Sequence, residues 1–201
     1  MIDIKKYIKN INAKFPQIEN LQPWEIVHNI EDILLQRLKL LDDNYEINNN
    51  IAIHRTATIE QGVILKGTMI ISENCSVGAN AYLRGPIFLG NSVRIGPGSE
   101  IKQSMIFDNS AVAHFNYIGN SIIGQNINFE AGSICANHFN ERKDKRIFVT
   151  LDEQIIDTKV EKFGSLVGDN SKIGANAVLS PGTILEKNSV VKRLELIEQT
   201  K

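Results

Sequence analysis

Lys66, Arg84 and Lys102 recur at intervals of 18 residues, and each directly follows an aliphatic residue: Leu65, Leu83 and Ile101. If the chain winds with that period, the three cations stack on one face, about 4.8 Å apart. Like charges facing each other on adjacent strands are destabilising. Such a column is therefore either a solvated basic stripe or the seat of an anion, and phosphate is the natural candidate. A second concentration of chemistry follows at residues 111–120, AVAHFNYIGN. Histidine ordinarily titrates near neutrality, which suits a general base. The residues alone leave His114 between that role and an imidazole packed against Phe115 and Tyr117. The four histidines, His28, His54, His114 and His138, have no spacing that makes a metal triad. No Ser-His-Asp, GxSxG or P-loop pattern is present.

Positioning these groups falls to a repeat. Every sixth residue from position 53 is apolar: Ile53, Ile59, Leu65, Ile71, Val77, Leu83, Leu89, Ile95, Ile101 and Phe107. Chance would give such a run roughly once in several thousand trials at this composition. The pattern resumes at Val167, Ile173, Leu179, Leu185 and Val191, each preceded two residues earlier by Ser, Ala or Thr. Six residues fit one short strand and a turn. One aliphatic per unit points inward, glycine and small residues allow the corner, and three units close a triangular coil. The fold expected is all-β, a parallel β-helix over residues 51–195.

The rhythm breaks twice. Ile118–Gly119 is followed by Ile123–Gly124, a step of five, so a register slip is expected after Tyr117. The second break, 138–164, is charged, and RIFVTL and IIDTKV within it read as the two strands of an extruded hairpin. Residues 1–50 form a separate helical segment and connector. Trp24, Val27, Ile30, Leu34, Leu38 and Leu41 fall at helical spacing behind Pro23. A shorter helix is expected over 2–11, and 42–50 reads as a polar connector. The segment is a candidate cap for the open end of the solenoid.

Composition sets limits. The net charge of −1 and the absence of a long apolar run argue against a nucleic-acid partner, a signal peptide or a membrane span. Cys75 and Cys135 form no CxxC motif and read as buried, inert thiols. A cytoplasmic location is expected.

The six-residue pattern resembles the hexapeptide repeat of left-handed parallel β-helices, and the left-handedness comes from that resemblance. The stretch from Tyr82 to His138 is similar, without a gap, to the acetyltransferase half of the bifunctional bacterial enzymes that make UDP-N-acetylglucosamine. That half acetylates glucosamine-1-phosphate with acetyl-CoA. The resemblance implies His114 as catalytic base, with Glu100 and Asn137 lining the amino-sugar site. It implies Arg84, Lys102, Tyr117, Asn128 and Lys162 as sugar-phosphate contacts, and Ala131 and Ala175 on the acetyl-CoA side. It also implies a homotrimer. The departures are His138 for a tyrosine, Ala136 for a cysteine, Glu130 for a glycine and Ala175 for a serine. The nucleotidyltransferase half is absent from these 201 residues.

The function expected is acetyl-CoA-dependent N-acetyl transfer to an amino-sugar phosphate in sugar-nucleotide biosynthesis. The alternative is a non-catalytic sugar-phosphate-binding or trimerisation module. A metal-dependent hydratase, an activity known on this fold, is the third reading, weakened by the missing ligand histidines.

Overall fold

The aliphatic of each six-residue unit turns inward. Ile71, Val77, Leu83, Leu89, Ile95, Ile101, Val167, Ile173, Leu179, Leu185 and Val191 belong to one buried cluster, with Ile53, Ile59 and Leu65 packed against it. The computed structural model, which describes residues 1–200, is a three-sided parallel β-helix with the N-terminal segment laid along one side. Its third face is a regular stack of seven two-residue strands, from Thr58–Ile59 to Val190–Val191. The other two faces share Tyr82–Leu89 and Glu100–Ile106, which bend around the corner between them. Lys66 stands opposite Arg84, and Arg84 opposite Lys102, as the interval of 18 predicts. We call this side the basic face.

The five-residue step expected after Tyr117 is present, with Ile118 and Ile123 both inward, but the register slip begins one coil earlier. The pairing shifts between Arg84 and Ile87: Arg84 faces Lys102, but Ile87 faces Ser104. Two residues, Gly85 and Pro86, turn this corner in one coil, and Gln103 alone turns it in the next, at φ 44°. Consequently Ile106, not Phe107, points into the solenoid. Phe107 turns outward and packs edge-on to Phe15 of the N-terminal segment, with ring centroids 6.1 Å apart. Asparagine, more than glycine, makes the corners. Asn74, Asn109, Asn126, Asn170 and Asn188 all sit in the left-handed region, which Asn tolerates better than other side chains with a Cβ.

The expected hairpin forms from Phe148–Leu151 and Gln154–Asp157, paired antiparallel. Its tip is exposed, at Asp152 to Ile155, but its base is packed rather than free. Ile147 and Val149 are fully buried in the cluster that joins the N-terminal segment to the solenoid. The insertion leaves and rejoins the same corner that Gln103 shortens. Gly164 N–H donates to the Asn120 carbonyl at 2.8 Å, so the coil resumes in register. A Cβ at Gly164 would stand 2.1 Å from the Gly119 carbonyl oxygen, which explains the glycine.

The N-terminal segment is a side wall rather than an end cap. One face of the solenoid carries a second, outward column of apolar residues: Ala52, Ile70, Phe88, Met105, Ile122, Leu166 and Ile184. The segment covers this column, which we call the covered face. Phe15 stands edge-on to Phe88 at 4.9 Å, and Trp24 to Phe163 at 6.1 Å. Polar ties run along its length. Lys14 Nζ bonds Asp108, Lys9 N–H donates to Asp169, and Gln103 donates to the Val27 carbonyl. The apolar spacing from Trp24 to Leu38 is buried as expected, but the helix is broken in two, Pro23–His28 and Ile30–Leu38. A 3-10 turn, Ile4–Lys6, and a short helix, Ile11–Lys14, replace the single helix expected over 2–11. Tyr45–Asn48 within the presumed connector is a strand, turned back onto Ile51–His54 by Asn49 and Asn50, both left-handed.

Candidate functional site

The basic face presents two outward columns on either side of the inward aliphatics. Tyr82, Glu100 and Tyr117 align in one, and Lys66, Arg84, Lys102 and Gly119 in the other. Arg84 Nε donates to Glu100 at 2.8 Å, and its terminal nitrogen donates to the same oxygen. That bond stabilises the guanidinium and raises its pKa further. Lys66 and Arg84 both lie over the Tyr82 ring, 5.1 and 5.5 Å from its centroid. Burial, then the Lys162 and Arg84 charges, push the Lys102 pKa down, against a smaller upward pull from Glu100. Lys162, far away in sequence, is within electrostatic reach of Lys102. Burial raises the Tyr117 phenol, and the neighbouring Glu100 raises it further.

Asn137 is buried at the corner where the insertion begins. Its Nδ2 donates to Asn120 Oδ1 at 2.5 Å, and its carbonyl accepts the Phe163 N–H at 3.1 Å, next to Lys162. Its Oδ1 faces Nδ1 of His138 at 3.1 Å. The sequence reading missed Asn120 and Tyr82 as partners. Both were reachable by counting one coil back, from Asn137 and from Glu100 respectively.

His114 occupies the opposite corner, where the third face turns into the basic face. The side chain is exposed and stands edge-on to Phe115, with centroids 5.7 Å apart. Its imidazole makes no hydrogen bond among the described residues. Ala131 and Ala175 stack beneath it on the same corner: the His114 carbonyl accepts from Gly132, that of Ala131 from Asn176, and that of Ala175 from Leu194. Glu130 takes the Ala175 N–H at 2.9 Å and is clasped by Nε and one terminal nitrogen of Arg193 at 2.7 and 2.8 Å. Asn128 lies elsewhere, on the third face between Ala111 and Lys172. One chain therefore assembles Arg84, Glu100, Lys102, Tyr117, Asn137 and Lys162 around the basic face, sets His114, Ala131 and Ala175 along one of its edges, and leaves Asn128 on another side.

The coil geometry and the six-residue pattern define a hexapeptide-repeat β-helix protein. A solved hexapeptide transferase family protein from Anaplasma phagocytophilum has the same fold, with a TM-score of 0.51 over 72% of this chain and 80% of that one, at 14% identity. A family model described as the GMPPB C-terminal domain matches residues 65–139, and one for the hexapeptide repeat of succinyl-transferase matches 166–192. More particularly, the sequence resembles bifunctional sugar-phosphate enzymes. It is 32% identical to the bifunctional protein GlmU of Methanocaldococcus jannaschii, over 98% of this chain and 50% of that protein. It is 30% identical to a bifunctional sugar-1-phosphate nucleotidylyltransferase/acetyltransferase of Sulfurisphaera tokodaii, over 80% of this chain and 41% of that protein. The chain spans about half or less of the length of these relatives. Its repeat and fold are those of hexapeptide-repeat β-helix proteins, and its sequence is similar to part of these bifunctional enzymes. No described helix is long and apolar enough to cross a membrane.

Proposed function

We propose that the protein transfers an acetyl group from acetyl-CoA to the amine of an amino-sugar phosphate such as glucosamine-1-phosphate. The observation that carries this reading is the alignment of Arg84 with Lys102, with Lys162 in electrostatic reach, on a face whose edge holds His114. Three clustered cations without enough local carboxylate to neutralise them suit a phosphate dianion. His114 takes the proton from the amine as its nitrogen attacks the thioester carbonyl. The C–S bond breaks, and the proton passes to the departing thiolate. Glu100 and Asn137 orient the sugar, and Tyr117 borders the phosphate. Asn128 lies on the wrong face to serve the same chain. It reaches a site only across a subunit boundary, which is the arrangement a homotrimer provides. Ala131 and Ala175 mark the corner along which acetyl-CoA lies.

Thiol release from acetyl-CoA plus glucosamine-1-phosphate tests the reading directly. His114→Ala lowers the rate by about 10²–10⁴-fold, the usual range for a lost general base. No release with any amino-sugar phosphate sinks it. One observation favours a second reading, a sugar-phosphate-binding module without catalysis: the Glu130–Arg193 clasp already occupies the Ala175 N–H on the donor side. Separate calorimetric titrations decide between them. Binding of glucosamine-1-phosphate without binding of acetyl-CoA selects the module.

A further inference from the structure

Phe115 stands where a large side chain is least expected. The backbone φ is 57°, in the left-handed region, and the residue is 72% exposed. The same corner position in other coils is held by Gly62, Asn80, Gly98, Gly132 and Asn176, residues suited to that conformation. Only Leu194, at φ 60° and 79% exposed, repeats the anomaly. An aromatic ring that is both strained and unburied contributes little to the fold, and such strain concentrates where function needs it.

Its placement gives the reason. Phe115 shares the corner with His114, two residues before Tyr117 enters the basic face. The ring does not point away from the site. It leans one coil up, over Gly98, where a Cβ would stand 2.7 Å from the ring. That coil continues into Glu100 and Lys102. The ring centroid lies 5.7 Å from that of His114, so an amine brought to His114 carries the sugar ring it belongs to alongside Phe115. The acyl donor's corner, Ala131 and Ala175, instead runs down from His114, away from the ring.

Resting on the acyl-acceptor reading above, we propose that Phe115 is a specificity residue, the apolar platform on which the acceptor's pyranose ring lies between its anchored phosphate and the base. An aromatic face suits the C–H face of a sugar ring and disfavours an acyclic amine phosphate, which has no such face.

The test combines stability and binding. Phe115→Asn relieves the left-handed strain, and the melting temperature rises by roughly 2–4 °C. The same variant binds glucosamine-1-phosphate about 10-fold more weakly by calorimetry, with acetyl-CoA affinity unchanged. Phe115→Tyr keeps wild-type affinity. Leu194→Asn, with the same relief three coils below, also melts higher but binds the sugar phosphate like the wild type. A Phe115→Asn protein that binds the sugar phosphate normally, loses acetyl-CoA instead, or falls apart into smaller species overturns the assignment. In the last case the ring is a contact between copies. If the wild type itself binds no sugar phosphate, the acceptor reading falls and takes this one with it. The two failures are thus distinct.

Discussion

Lys102 is worse off charged in the folded protein than in the unfolded chain, because burial and two neighbouring cations all depress its pKa from 10.5. Between the depressed value and 10.5 the unfolded chain holds more protons at this site than the native state, so stability rises with pH across that alkaline window. Below it, at neutral pH, the charge is a standing cost. Lys102→Met is therefore expected to raise the urea midpoint at pH 7 while reducing the stabilisation that added phosphate gives. For the wild type that gain reaches about 2.7 kcal/mol at 100 times the Kd. Equal phosphate gains in both proteins would show that the column is a solvated stripe. The two thiols make the opposite case, groups kept out of chemistry. Burial pushes Cys75 up to about 11 and the fully enclosed Cys135 up to about 12. Neither should react with a disulfide reagent at pH 8 until the protein is unfolded, when both should react.

The covered face makes the N-terminal segment part of the core. Phe15 is fully buried between Phe88 and Phe107, and Phe15→Ala should cost about 3–5 kcal/mol in denaturant titrations. Leu40→Ser, at a residue 72% exposed, should change stability by less than about 0.5 kcal/mol. A small loss at Phe15 would mean that the segment only rests on the solenoid. This packing was legible in part. In the units of the covered face the inward residue is preceded by another apolar one, as in Ile70–Ile71, Phe88–Leu89, Ile122–Ile123 and Leu166–Val167. On the third face it is preceded by a polar residue in five of seven units, as at Ser76, Arg94 and Lys172, the exceptions being Ala111 and Val190. The doublets do not mark the face by themselves, since Ile64–Leu65, Ile134–Cys135 and Leu196–Ile197 have the same pattern with their outer residues exposed; only the packing of the N-terminal segment tells them apart. The slip was harder to place, because Phe107 is apolar and satisfies the six-residue count while facing the wrong way. Lys66, Arg84 and Lys102 could be aligned by counting, since the solenoid converts sequence interval into distance. Lys162 could not, because a long insertion separates it from its neighbours, and only the fold brings it back.

Across the whole molecule, the separation of Asn128 from Arg84 bears on assembly. If sites form between subunits, inactive Arg84→Ala and Asn128→Ala proteins, unfolded together and refolded as a mixture, should regain part of the lost thiol-release activity. Chains that each hold a complete site would regain none. The N-terminal strap has a different consequence. In a bare solenoid each coil touches only its neighbours, and the ends can fray while the middle holds. Here Phe15 meets Phe88, Lys14 meets Asp108 and Lys9 meets Asp169, so one segment grips several coils along the axis. The strap couples the ends to the middle. Amide hydrogens in the first and last coils should then exchange at rates close to those of the central ones, through a single global opening. Loosening the strap at Phe15 should restore the gradient of a one-dimensional stack, with protection falling toward each end.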